Sequence, residues 1–328
     1  MRRKRTYRKR LARNATLQKR AIHKTQRNRV NHVKTRKIHK MNCHPHTKNL
    51  AVKNSCYTPN ILEQIKEAYN KGHQNDPIKT THPEEIWNEL KKRLTDCPAE
   101  DCWLKELKDD KLRKRIDRYI FAPDKPYEWK KNPNEWLSNF DILNVLEQYE
   151  ETYHNFDFIG PTPIDFDTHK KESNTCVWNE LCTFSLKQKL KQRKNKIGIV
   201  FNTDPHTKSG AHWIAMFIDI PAQLIYFFDS AGAKPPKEVD ILAERIIEQG
   251  KENRIHFKYV QNAPNQHQHG TTECGMYCLF FIITMLTGKI EDKREPLSKR
   301  LHLFTKGKIS DKFAEKYRDI YFNNSYGG

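Results

Sequence analysis

The run GMYCLFFIITML, Gly275 to Leu286, constrains this chain more than any other stretch. It is apolar nearly all round at helical spacing, so a helix over 274–287 has to be buried on several sides. Its apolar length is about half of the roughly 20 residues that cross a bilayer, so the burial has to come from protein. The cover is supplied upstream, where "IGIVFN", "HWIAMFIDI", "LIYFFDS" and "RIHFKYVQ" read as strands and 238–249 reads as a helix carrying Val239, Leu242, Ile246 and Ile247 on one face. A buried helix within a cluster of strands predicts an α+β class.

Ahead of the strands, "NEWLSNFDILNVLEQYEE" gives Trp136, Leu137, Phe140, Ile142, Leu143, Val145 and Leu146 a helical apolar surface that opens the main domain. "FDFIGPTPIDFD" reads as a loop because of its Gly and Pro residues, and "NTCVWNELCTFSLKQKLKQRKN" as one further helix. Three shorter helices start near Thr58-Pro59, Pro83 and Pro98; the third carries Trp103, Leu104, Leu107, Leu112 and Ile116. This divides the chain into a basic, disordered tail over 1–54, a helical accessory region over 55–125, a main domain over 126–322 and a flexible end over 323–328.

The formal net charge of +20 is concentrated in the tail. From Met1 to Leu62 there are 19 Lys or Arg and no Asp or Glu, and the remainder holds 41 basic and 40 acidic side chains. Such a tail suits a polyanion, because Arg2, Arg3, Lys4, Arg5, Arg8, Lys9 and Arg10 can release condensed counterions from DNA without reading its sequence. The plainer account is a solubilising or nuclear-targeting arm. Eight cysteines are too few to suggest a disulfide scaffold, and no apolar run follows "MRRKRTYRKRL" as a secretory signal would require, so the reading is a protein of a reducing compartment. Cys43, His44, His46 and Cys56, with Cys97 and Cys102, lack the paired spacing of structural zinc; no metal or other cofactor is called for, and Cys176, Cys182 and Cys278 read as packing thiols.

Chemistry gathers around Cys274. A cysteine at a helix start faces unpaired amides that favour thiolate. His212 opens one strand and Asp229 ends the next; a turn near Pro221 and Ala222 makes paired positions sum to roughly 441, which sets His212 opposite Asp229. The carboxylate would then receive one imidazole N–H and leave the other nitrogen to accept a thiol proton. Gln268, six positions before Cys274, can curve back through the Gly270 bend as an oxyanion donor, with Gln266 as its local competitor, and Gly275 would let substrate approach the backbone.

These residues resemble the SUMO-specific protease superfamily of cysteine peptidases, which includes the adenovirus endopeptidase. Within it the chain is similar to thiol proteases of large nucleocytoplasmic DNA viruses, of the African swine fever virus polyprotein-protease and poxvirus core-protease type. The resemblance rests on His212-Trp213, on "FFDS" at Phe227–Ser230, on Gln268 followed by "ECG" at Glu273–Gly275, and on "WLSNFDI" at Trp136–Ile142. It implies a papain-like fold with a central mixed β-sheet and a buried nucleophile helix. It further implies His212 as base, Asp229 as its orienter, Cys274 as nucleophile, Gln268 as oxyanion donor and Trp213 as cover beside the histidine.

The implied activity is cleavage after Gly-Gly-type sites in viral structural precursors during virion maturation, in the virion and host cytoplasm, with the host nucleus as a further place. The alternative is an isopeptidase acting on host ubiquitin-like modifiers. The chain departs from many relatives at Glu273, where they have Asp, and from cellular deSUMOylases at Gly270, where they often carry Asn. Its own final residues, Gly327 and Gly328, read either as an ordinary flexible end or as a product-like tail able to visit the cleft.

Overall fold

Alternation of apolar residues along two adjacent strands sets the architecture. In β3 (Trp213–Asp219) and β4 (Leu224–Phe228), Trp213, Ala215, Phe217, Tyr226 and Phe228 point to one face, while Ile214, Met216, Ile218, Ile225 and Phe227 point to the other. Both strands are buried throughout, which requires cover on both faces. The computed structural model, which describes residues 38–170 and 175–324, shows them at the centre of a five-stranded mixed sheet of order β1-β2-β3-β4-β5, with β1 (Phe156–Pro163), β2 (Lys196–Asn202) and β5 (Lys258–Gln261). The outer pairs β1–β2 and β4–β5 are parallel, and β2–β3 and β3–β4 are antiparallel.

The helices follow in chain order as α1 (Pro59–Gly72), α2 (Pro83–Arg93), α3 (Asp110–Ile120), α4 (Asn139–Thr152), α5 (Asn179–Cys182), α6 (Leu186–Lys191), α7 (Lys237–Glu252), α8 (Cys274–Thr287), α9 (Leu297–Thr305), α10 (Asp311–Lys316) and α11 (Arg318–Tyr321). The apolar helix α8 lies on one face of the sheet, enclosed by α4 and by the α9–α11 stretch, and every residue from Cys274 to Leu286 is buried. It stops at Gly288, whose φ of +72° is the left-handed conformation that ends helices. The opposite face is covered by α5, α6 and α7. Helix α4 starts where Ser138 and Asp141 form a reciprocal capping box.

Four expectations are corrected. The segment read as a loop at 156–167 begins with β1. Pro161 and Pro163 lack an N–H, which an edge strand tolerates, and the register shifts between Ile159 and Thr162. The single helix expected over 174–195 is two short ones, because Ser185 caps a new start by accepting from Gln188 N. The third accessory helix is a 3-10 segment, Glu100–Glu106, followed by α3 with Asp109 as its cap.

Lastly, part of the stretch assigned to the tail is packed. Met41, His44 and Thr47 are buried, and Asn42 Nδ2 donates to the Asp319 and Phe322 carbonyls. The described residues from His39 on belong to one compact unit. The basic residues Arg2, Arg3, Lys4, Arg5, Arg8, Lys9 and Arg10, and the glycines Gly327 and Gly328, lie outside the described residues.

The cysteines also differ from the free-thiol reading. Cys43–Cys56, Cys97–Cys102 and Cys176–Cys182 are disulfides, each pair brought to a Cα separation of 5.1–6.3 Å by a local loop, within the range a disulfide spans. Cys274 and Cys278 are free and buried. His44 is not gathered with Cys43 and Cys56 around a common point: its Nδ1 lies 2.6 Å from His46 Nδ1, and its Nε2 faces Glu151 at 3.3 Å.

Candidate active site

The β3–β4 ladder pairs Ala215 with Phe228 and Asp219 with Leu224, so paired positions sum to 443 rather than 441. A shift of two leaves every side chain on its expected face. His212, just before β3, and Asp229, just after β4, are therefore diagonal rather than opposed, a separation that side chains of this length still bridge. His212 Nε2 lies 2.7 Å from Asp229 Oδ1. The same carboxylate oxygen accepts Ala231 N at 2.8 Å. The strand end is fixed by buried Asn262, whose Oδ1 accepts Asp229 N and whose Nδ2 donates to Asp229 O and Asn265 O.

Cys274 is the first residue of α8 and only 1% exposed. Its side chain interacts with the His212 imidazole, whose Nε2 is committed to Asp229. Burial works against the imidazolium, but the hydrogen bonds and charges of Asp229 and Cys274 outweigh it and raise His212 to about 10. A thiol, an imidazole that stays protonated at neutral pH and a buried carboxylate thus stand in series, which is the arrangement of a thiolate–imidazolium nucleophile. Cys278, one turn further along, has its thiol pushed up by burial and by the neighbouring Cys274 and Asp229.

Gln268 is buried and held at both ends. Its Oε1 accepts the Ser230 hydroxyl at 2.7 Å, its Nε2 donates to Gly270 O at 3.0 Å, and its backbone N donates to Ser230 O. Gln266 does not compete for that position, since its Nε2 donates to Gln268 O and supports the same loop. Trp213 is 7% exposed and donates from Nε1 to Leu137 O at 3.0 Å. The space that Gly275 leaves is filled by Leu137, whose Cβ and Cδ1 would lie 2.9 Å from an added Cβ. That glycine is accordingly needed for close packing of the segment before α4.

Sequence reasoning missed Asn262, Ser230, His267, Asp311 and Arg318. Only Ser230, inside the "FFDS" motif, carried any local signal. Among the described residues, His169, Cys176 and Cys182 bring ligand-type atoms within 4.8 Å of one another, but the two sulfurs are bonded to each other.

Comparison with known proteins gives a consistent result. Residues 160–324 match the Ulp1 protease family, C-terminal catalytic domain. A protein of Acanthamoeba polyphaga mimivirus described as a candidate thiol protease is 30% identical over 267 residues, which is 80% of this chain and 74% of the relative. A SUMO-1 cysteine protease of African swine fever virus is 28% identical over 207 residues, 58% of this chain and 74% of that protein. The crystal structure of an African swine fever virus protease aligns with a TM-score of 0.60 and 22% identity, covering 89% of this chain and 99% of that one. This last likeness shows a shared fold.

Proposed function

The chain belongs to the Ulp1 protease family and is a cysteine protease, and from that premise we propose that Cys274, His212, Asp229 and Gln268 perform its chemistry on bonds that follow a Gly-Gly-type segment. The observation that carries the assignment is the 2.7 Å contact between His212 Nε2 and Asp229, with Cys274 acting on the same ring. Thiolate Cys274 attacks the scissile carbonyl. The developing oxyanion is met by the Cys274 amide at the start of α8 and by the Gln268 side chain. Imidazolium His212 protonates the departing amine, a thioester remains, and the neutral ring then draws a proton from the water that hydrolyses it. Asp229 keeps the ring in one orientation throughout.

Two substrate classes present this chemistry. Ubiquitin-like modifiers joined through a C-terminal diglycine are favoured by the family's description and by the name of the African swine fever virus relative. Viral structural precursors with internal Gly-Gly sites are the second reading, supported by the viral origin of both relatives and by Gly270 in place of the asparagine of cellular deSUMOylases. On that second reading the protein works in the virion and host cytoplasm. The basic tail would hold it on DNA; deleting residues 1–37, which spares the packed segment from His39 on, should remove salt-sensitive DNA binding and leave peptide turnover intact.

Wild type and Cys274→Ala are incubated separately with a modifier–lysine isopeptide conjugate and with a precursor containing Gly-Gly sites, and the products are read by mass spectrometry. Release of the modifier supports the first class, and precursor cleavage alone supports the second. If wild type reacts at Cys274 with a peptide vinyl sulfone yet cuts neither, the diglycine preference is wrong. Turnover by Cys274→Ala would overturn the nucleophile assignment.

A further inference from the structure

The loop from His267 to Glu273 carries Gln268 and leads directly into Cys274, and it is fastened at three points by one later stretch of the chain. At its start, the fully buried His267 ring accepts Ile309 N on Nδ1 at 3.2 Å and donates from Nε2 to Phe304 O at 2.8 Å. At its middle, the Asp311 carboxylate accepts His269 N at 3.1 Å and Gly270 N at 2.8 Å, and the Tyr277 hydroxyl from α8 lies 3.0 Å from Asp311 Oδ1. At its end, Arg318 grips Glu273 bidentately, with Nε to Oε2 and Nη2 to Oε1 both 3.0 Å, and both residues are about 95% buried. The same guanidinium donates to Glu135 O at 2.8 Å and stacks on Trp129 at 4.3 Å.

We infer that Asp311 and Arg318 are positioning residues of the proteolytic site: Asp311 fixes the turn that aims Gln268, and Arg318 fixes and neutralises the carboxylate adjoining Cys274. The inference rests on the protease reading given above. Its physical basis is twofold. A backbone turn whose amides are held by a carboxylate keeps its geometry when charge develops at the carbonyl being attacked, so the oxyanion donors need no rearrangement. A buried carboxylate next to a cysteine opposes thiolate formation unless a cation offsets it, and Arg318 is that cation for Glu273.

Wild type, Asp311→Asn, Arg318→Met and the double variant Glu273→Gln/Arg318→Met are compared for kcat and KM on a peptide, affinity for a peptide aldehyde, and the rate of iodoacetamide alkylation of Cys274 at pH 7. Asp311→Asn is expected to lower kcat and aldehyde affinity together by about 10- to 100-fold, with KM and alkylation unchanged, because the aldehyde adduct and the transition state share the oxyanion. Arg318→Met is expected to slow alkylation about tenfold, and the double variant, which removes the stranded charge, to restore it. The double variant also keeps the test open where Arg318→Met fails to fold.

The inference is overturned if Asp311→Asn leaves kcat and aldehyde affinity at wild-type values, if it moves KM and alkylation equally with kcat, or if the double variant alkylates as slowly as Arg318→Met. Failure of the underlying reading looks different: wild type itself would hydrolyse no peptide and show no selective alkylation at Cys274.

Discussion

Substituting Gly275 by Ala probes a place where the Leu137 side chain, from the segment before α4, lies directly against the backbone of α8. The new Cβ would lie 2.9 Å from both Cβ and Cδ1 of Leu137, against the roughly 3.5–4.0 Å at which carbon atoms normally rest. Cδ1 can rotate away, but Cβ moves only with the Leu137 backbone. The overlap therefore belongs at the upper end of the ~1–3 kcal/mol typical of overpacking.

Alanine recovers up to about 1 kcal/mol of helix propensity, which leaves a net loss of about 1–2 kcal/mol and a fall in Tm of about 2–6 °C. Because Leu137 O accepts Trp213 Nε1 beside His212, displacement also reaches the imidazole, and kcat/KM should fall at least about tenfold. Thermal melts and peptide turnover are read for Gly275→Ala, Leu137→Ala and the pair. Leu137→Ala alone should cost ~2–5 kcal/mol. The pair should cost about 2–3 kcal/mol less than the two losses combined, since the whole clash is gone while the propensity gain remains. Strict additivity, or a raised Tm in Gly275→Ala, would refute the reasoning.

Other outcomes follow from the site. Gln268→Ala should lower kcat by about 10²–10³ with little change in KM, measured by steady-state peptide hydrolysis. His212 is raised from 6.5 to about 10, so its stabilising contribution is complete below pH 6.5 and is lost as pH rises through about 10; Asp229→Asn removes an anion that favours the imidazolium, and the alkaline limbs of both kcat/KM and Tm should move to lower pH. Asn262→Ala strands the buried N–H and C=O of Asp229 and should cost at least about 1–3 kcal/mol in urea unfolding. Cys43→Ser/Cys56→Ser opens a loop of 13-residue separation and should lose up to about 3 kcal/mol, whereas peptide turnover by the folded protein should persist.

The parts of this fold legible beforehand were those governed by local periodicity. α8 could be read because its residues are apolar on every side, and β3 and β4 because their alternation is continuous. The His212–Asp229 contact survived an error of two in register, since strand faces repeat every two residues. β1 was illegible for the opposite reason: Gly160, Pro161 and Pro163 are turn signals locally and become strand residues only because an edge position asks for few N–H donors. Asp311 and Arg318 carry no motif, and their roles arise from contacts spanning about 40 residues that spacing rules do not reach. The packing of Gly275 against Leu137, 138 positions earlier, was invisible to local reasoning.

The stretch matched by the family model is shorter than the stretch that folds. The family match begins at residue 160, midway along β1, yet the core around α8 draws on Leu137, Ile142, Val145, Leu146, Phe156 and Phe158 from before that point. A fragment trimmed to the family-model boundary would retain all four proposed chemical groups while baring a greasy wall along α8. Expression of a fragment starting at residue 160 should therefore return insoluble material, whereas one starting at His39 keeps the whole compact unit.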